Sequence, residues 1–431
     1  MARELSRRGL FSAGSAASLS LLLSGCGFGI GSSRTSTGAT IWDISTGSEQ
    51  QLLNQIAKRF NARDGGPSVT VQYFQNDPYK NRLRTSMISG TPPEVFYNWG
   101  GGQLKAFVDA GEAAAIPPSV GTDRYFPSVM DAVTFDGRIY SVPKSGTAPK
   151  VFFYNKDLFA EHGLSPPTTW SDLLEVVGVL SEAGVTPISL AGQNLWTNMM
   201  YLEYLVNRVG GREPFRGITA GEPDAWSHPA IRQAVAMIQE LVASDAFPDG
   251  FAALDADTNR DTQLVYSGQA GMLLQGAWNY QRFVTDAPEF AEDRLGWFPF
   301  PRVEGAGGDP DAVAGNLTNF YGLTSASRNR GHAVAFLDEA VMNDYMVDRL
   351  IGMGLAPPVT GIEDRLAESD RSDWLLFVYR LVEGASYFDL SWDQALPPEA
   401  AQVLLTNMGR VFSRNITPEQ FSQNMNQTLE R

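Results

Sequence analysis

The chain has 431 residues, a formal charge of -15 and a single cysteine. That charge disfavours nucleic acid and anionic lipid as partners. One thiol cannot close an intrachain disulfide, and His162, His228 and His332 are too scattered for a zinc site.

The N-terminus predicts export. Arg3, Arg7 and Arg8 precede a small, apolar stretch from Gly9 to Leu23 that is short for a membrane span, so residues 1–25 read as a signal peptide. Leu23-Ser24-Gly25-Cys26 resembles a bacterial lipobox, in which Cys26 becomes the acylated first residue and anchors the protein to the outer face of the cytoplasmic membrane. Ser6-Arg7-Arg8-Gly9-Leu10-Phe11 resembles a twin-arginine motif, and both that route and the general one stay open. Residues 26–39, rich in Gly, Ser and Thr, predict a flexible tether.

From residue 40 the pattern is α/β. Thr40 to Ile44 is β-prone, and a helix is expected from Ser48, with Gln51 completing a capping box and Leu52, Leu53, Ile56 and Phe60 at helical spacing. Val69, Val71 and Tyr73 alternate as a strand; Tyr79 to Ser89 predicts a helix, Glu94 to Tyr97 a strand, and a further helix ends at Gly111. Val151 to Tyr154 opens a second set. It continues with an amphipathic helix through Leu173, Leu174, Val177 and Leu180 stopped at Gly184, a strand Val185 to Leu190, and a long helix from Ser227 to Leu241. The last hundred residues are mostly helical in pattern, and no internal repeat is present. The alternation predicts a mostly parallel sheet in an α/β fold.

Residues 140–175 read YSVPKSGTAPKVFFYNKDLFAEHGLSPPTTWSDLLE. This segment resembles the signature of extracellular solute-binding proteins of family 1, the sugar-binding subunits of ABC importers. Weaker similarity covers residues 41–47, 94–111, 268–280 and 391–421. The resemblance implies a type II periplasmic-binding-protein-like fold: two α/β lobes, a multi-segment hinge and a ligand cleft between the lobes. By the family's three-segment hinge, crossings are expected near residues 147, 275 and 323. Residues 40–147 plus 276–322 then form the N-terminal lobe, and 148–275 plus 323–431 the C-terminal lobe. It also implies a carbohydrate ligand, an ABC permease as partner, no cofactor, no catalysis and a monomer.

Within the signature, Phe152, Phe153 and Tyr154 fit a buried strand, Asn155, Lys156 and Asp157 a turn into a helix, and Pro167 to Trp170 a helix start. These are structural expectations. Ligand chemistry belongs in the loops after strands, at their carboxyl ends. That selects Ser45 and Thr46, Asn98 and Trp99, and Trp278 with Asn279. A pyranose needs flat aromatic surface together with groups that donate and accept hydrogen bonds, and each loop supplies such groups. The resemblance also puts a sugar-stacking tryptophan at Trp278. Thr147 lies at the expected crossing, Trp196 and Asp393 are candidates from the second lobe, and Trp42 is assigned to the core.

Other chemistry is poorly supported. Asp255, Asp257 and Asn259 open like a calcium loop, but Arg260 and Tyr266 stand where glycine and glutamate are needed, so a helix start is expected. There is no G-x-S-x-G elbow, phosphate-binding Gly-Lys-Ser or His-Glu-x-x-His. A glycoside hydrolase or lyase needs only two suitably placed carboxylates. It stays open as an alternative, as does the same fold binding a polyamine or glycerophosphodiester.

Overall fold

The computed structural model describes residues 38–429. The signal, Cys26 and most of the tether lie outside them. From Gly38 onward the chain forms one compact unit.

Two six-stranded sheets organise that unit. In the first, β1 (Ala39–Asp43) lies parallel between β2 (Val69–Tyr73) and β3 (Val95–Asn98). β13 (Phe320–Thr324) runs antiparallel to β3, and its other edge carries β4 (Ala113–Ala114) and β7 (Ser141–Pro143). Val69, Thr70 and Val71 pair with Ala39, Thr40 and Ile41; β1 is largely buried with Ile41 at its centre, whereas β2 forms the half-exposed edge. The short hairpin β5 (Thr134–Phe135) and β6 (Arg138–Ile139) leads into β7.

In the second sheet the order is β14 (Phe388–Leu390), β12 (Val313–Asn316), β8 (Ala148–Asn155), β10 (Ala270–Gly276) and β9 (Thr186–Ser189). β11 (Leu295–Phe298) shares with β12 the edge of β8 opposite β10. β8 is buried on both faces, and its period of two sends neighbours into different cores. Phe152 stacks on Phe298 at 5.1 Å, whereas Phe153 meets Phe283 at 5.3 Å and Trp374 at 5.4 Å on the other side.

The signature residues form the turns expected of them. The Asn155 side chain accepts from the N–H groups of Asp157 and Leu158 and caps the helix Lys156–Glu161. Thr169 and Asp172 close a capping box on the helix Trp170–Glu182, and Gly184 follows it at φ 76°. The first long helix differs: it runs Gly47–Asn61 with Thr46 at the N-cap and no side-chain capping bond. Gly47, at φ 54°, takes the backbone round before Ser48, whose hydroxyl meets that of Thr285 at 3.2 Å.

Strand pairing also corrects the expected division into lobes. Residues 276–322 were expected in the first lobe, yet β11 and β12 hydrogen-bond to β8 in the second sheet. β13, spanning the expected crossing at 323, belongs to the first. The helices Arg330–Glu339 and Asp344–Gly352, expected in the second lobe, pack on the first; Phe336 meets Phe60 edge-on at 5.3 Å. Long-range ladder bonds decide this membership, and no local signal marks them.

Candidate functional site

The chain passes between the sheets three times, at residues 144–147, at 317–319 and between β13 and β14, and the first two segments are tied together. The Lys144 N–H donates to Asn319 O at 2.8 Å, the Thr318 hydroxyl to Ser145 O at 2.8 Å, and the Thr147 N–H to Ala356 O at 2.7 Å. Lys144 is buried here. Its ammonium reaches Asp43 Oδ2 at 3.0 Å, Ser45 Oγ at 2.7 Å and Glu49 Oε2 at 3.9 Å, and the Tyr321 hydroxyl donates to Asp43 as well. Burial works to raise the Asp43 carboxyl, but Lys144 with the Ser45 and Tyr321 hydrogen bonds outweighs it and holds it below the usual range.

In front of these crossings lies a cleft of about 230 Å³ lined by both lobes. Ser45 and Thr46 reach it from the end of β1, Tyr97 and Trp99 from the end of β3, and Lys80 from the helix Asn76–Ile88. The second lobe contributes Trp196 from the start of the helix Leu195–Gly210, Trp278 from the turn after β10, and Asp393 with Gln394 from the short helix Trp392–Ala395. Trp196 and Trp278 stand 6.1 Å apart with planes inclined at 58°, and Tyr97 meets Trp99 edge-on at 5.0 Å. Aromatic faces therefore line the cleft from both lobes.

The polar groups form a second pattern. Trp196 Nε1, Asn316 Oδ1, Asn319 Oδ1 and Gln394 Oε1 are buried in the cleft wall and find no hydrogen-bond partner among the described residues. Buried donors and acceptors are usually paired, so a water or a ligand is left to satisfy these four. Three cations, Lys80, Lys150 and Arg282, share the lining with three carboxylates, Glu49, Asp257 and Asp393. Burial raises the Asp257 carboxyl, with Asp77 and Asp255 adding to the effect. Hydrogen bonds already bridge the lobes beside the cleft: Lys80 Nζ lies 3.5 Å from Asp393 Oδ2, Gln103 Nε2 donates to Asp393 O at 3.0 Å, and Asn194 Nδ2 to Asp77 Oδ2 at 3.1 Å.

Of the residues selected from the sequence, Ser45, Thr46, Trp99, Trp196, Trp278 and Asp393 come together in this lining. Asn98, Thr147 and Asn279 do not. Asn98 donates to Ser141 Oγ at 3.0 Å and accepts from the Gly100 N–H; Thr147 is held against Ala356; Asn279 is wholly buried, with its amide 2.9 Å from the Thr262 hydroxyl. Asn98 and Asn279 are expected in the site as polar residues after a strand and Thr147 as a residue at the crossing, and each is used up by a distant backbone or side chain. Trp42 lies in the first core, tilted against Phe74 at 4.9 Å. Asp255 caps a short turn over Ala256–Thr258, and a helix follows from Arg260, as expected of that segment. Among the described residues no group of His, Cys, Asp or Glu is placed to hold a metal ion, and no helix is long and apolar enough to cross a membrane.

Two α/β lobes joined by three crossings, with a lined cleft between them, define a two-lobed binding protein with the type II periplasmic-binding-protein-like fold. A family model described as bacterial extracellular solute-binding protein matches residues 45–346, and the chain belongs to that family. Over 289 residues it is 27% identical to an uncharacterized ABC transporter extracellular-binding protein of Pyrococcus horikoshii, covering 60% of this chain and 62% of that one. The chain thus spans about three fifths of the length of the curated relatives it matches first. Among solved structures, one reported for xylan utilization by the thermophilic bacterium Caldanaerobius polysaccharolyticus is 25% identical, with a TM-score of 0.82 over 91% of this chain and 99% of that one. A chitin oligosaccharide binding protein is 21% identical, with a TM-score of 0.80 over 91% and 98%.

Proposed function

We propose that the protein is the solute-binding subunit of an ABC importer, holding a mono- or oligosaccharide in the cleft and delivering it to the membrane permease. The observation that carries this reading is the pairing of aromatic faces from both lobes with unpartnered polar atoms in a lining whose charges balance. Apolar C–H faces of a sugar suit the rings, and its hydroxyls both donate and accept. A polyamine would favour excess carboxylates and a glycerophosphodiester excess cations; the lining has neither. Similar proteins carry names of both kinds: chitin oligosaccharide and diacetylchitobiose binding proteins are among them, and so are sn-glycerol-3-phosphate and osmoprotective-compound binding proteins, so the lining carries the choice of a sugar. Function is closure without chemistry. Each lobe offers half a site, the ligand favours the closed form through its extra contacts there, and the permease recognises that form. Cys26 carries the lipid anchor on the outer face of the cytoplasmic membrane, so Cys26→Ala should release the protein from membranes; retention would refute the anchor.

The test is thermal unfolding of residues 38–431 against maltose, diacetylchitobiose, galactose and xylan oligosaccharides, with polyamines and glycerophosphodiesters as controls. Ligand at about a hundredfold its Kd stabilises by about 2.7 kcal/mol, a readily visible rise in Tm. One sugar should give that rise and be recovered unchanged. A response confined to the controls would overturn the carbohydrate reading, and a cleaved sugar would make the protein a hydrolase.

A further inference from the structure

Lys150 and Glu203 form an ion pair, 1% and 0% exposed, directly beneath the cleft. Two buried charges lose their hydration, and apolar residues of similar size usually serve stability as well or better. Stability therefore does not account for the pair, whereas its surroundings do.

Glu203 uses its second oxygen to accept the Trp392 N–H at 2.7 Å. That bond holds the start of the turn that brings Asp393 and Gln394 to the cleft. Lys150 lies opposite Gly276 in the ladder between β8 and β10, so its side chain leaves on the face where Gly276 has none. The space over Gly276 is filled by the Trp278 ring: a Cβ there would fall 2.0 Å from Cζ3 and 2.2 Å from Cη2. The Trp278 ring thus covers the position across the ladder from Lys150. Its carbonyl is fixed in turn by the Tyr204 hydroxyl at 2.6 Å. The ammonium carries three N–H donors and among the described residues its one side-chain hydrogen bond is to Glu203, while the residue itself lines the cleft.

We infer that Lys150 is a specificity-determining contact, donating to a hydroxyl of the sugar that lies on Trp278, and that Glu203 is a positioning residue aligning that donor with the Ser391–Gln394 turn. The inference rests on the carbohydrate reading and deepens it: the ligand carries a hydroxyl acceptor at the edge of the ring plane stacked on Trp278.

The experiment uses the sugar that gives the largest wild-type Tm shift in the panel above, with its monodeoxy analogues. Calorimetry measures Kd for wild type and for Lys150→Met with Glu203→Leu. Single substitutions would strand a buried charge, so the pair is changed together. The expected result is affinity for the parent sugar at least tenfold weaker and one deoxy analogue that binds both proteins equally, with Tm lowered only by the loss of an acceptor for the Trp392 N–H. Lys150→Met with Glu203→Gln keeps an acceptor for the Trp392 N–H and serves if the apolar pair fails to fold; it should also lose at least tenfold. Wild-type affinity in either folded double variant overturns the contact. A loss that no deoxy analogue cancels overturns the assigned hydroxyl partner. A wild type that responds to no sugar refutes the carbohydrate reading itself and the contact with it.

Discussion

Removing the Trp278 ring tests the site most directly. The ring is half-buried, folded over Gly276, and its other neighbour in the cleft is Trp196. A tryptophan buries about 150–250 Å² when covered; a sugar lying on one face covers about a third of the lower value, about 50 Å². At about 25 cal/mol per Å² this is about 1.3 kcal/mol, roughly tenfold in Kd. Trp278→Ala should therefore weaken binding by about an order of magnitude, measured by titration calorimetry. Stability should fall by about 2 kcal/mol, roughly half the cost of a fully buried ring, because Trp278 is half-buried and its side chain makes no capping bond to the helix Asn279–Asp286. Gly276→Ala is the companion variant. Its Cβ would stand 2.0 Å from a ring that ordinarily keeps about 3.5 Å from carbon, so the ring must retreat by about 1.5 Å. Affinity should fall comparably although no ring has been lost. An unchanged Kd in Trp278→Ala would refute the assignment of this ring to the site.

Three further outcomes follow from the surrounding structure. Burial pushes the Asp389 carboxyl up to about 6, offset only in part by Asn207 and Arg212. Because the folded value lies above the unfolded one near 3.8, the folded state holds the proton more tightly and stability falls as pH rises from about 4 to 6, by about 3 kcal/mol in all. Asp389→Asn should abolish that loss, so its advantage in urea melts should grow across this window and persist at pH 7; a constant difference would contradict the assignment. Lys144→Met leaves Asp43 buried without its cation and should cost about 3–5 kcal/mol in chemical denaturation. In wild type, the stability Asp43 contributes is full above its unfolded value and is lost as pH falls through its lower folded value. Thr169→Ala removes the capping box and should cost about 1 kcal/mol in thermal melts while leaving sugar Kd unchanged, since Thr169 lies outside the cleft lining.

What could be read in the sequence is what neighbours along the chain decide. The alternation of Val69, Val71 and Tyr73, the helical spacing of Leu52, Leu53, Ile56 and Phe60, and the turn chemistry of Asn155 and Thr169 are short-range effects and appear where expected. Trp278 could be reached for the same reason: an apolar strand ends two residues before it. Asn316, Asn319 and Gln394 carried no comparable signal. They matter because their oxygens are buried without partners, a property of the packed surroundings. Lys150 was hidden inside a run that reads as a buried strand.

By itself the sequence determined most element types, the caps at Asn155 and Thr169, and the likeness to a solute-binding family. These depend on backbone propensities and on side chains within a few residues of one another. Only the tertiary structure decided which sheet receives β11, β12 and β13, which polar loop residues stay available and which are consumed by Ser141, Ala356 or Thr262, and how Lys150, Gly276 and Trp278 meet. A ladder register or a hydrogen bond between residues a hundred positions apart depends on all competing pairings at once, so the residues at either end carry no local mark of it.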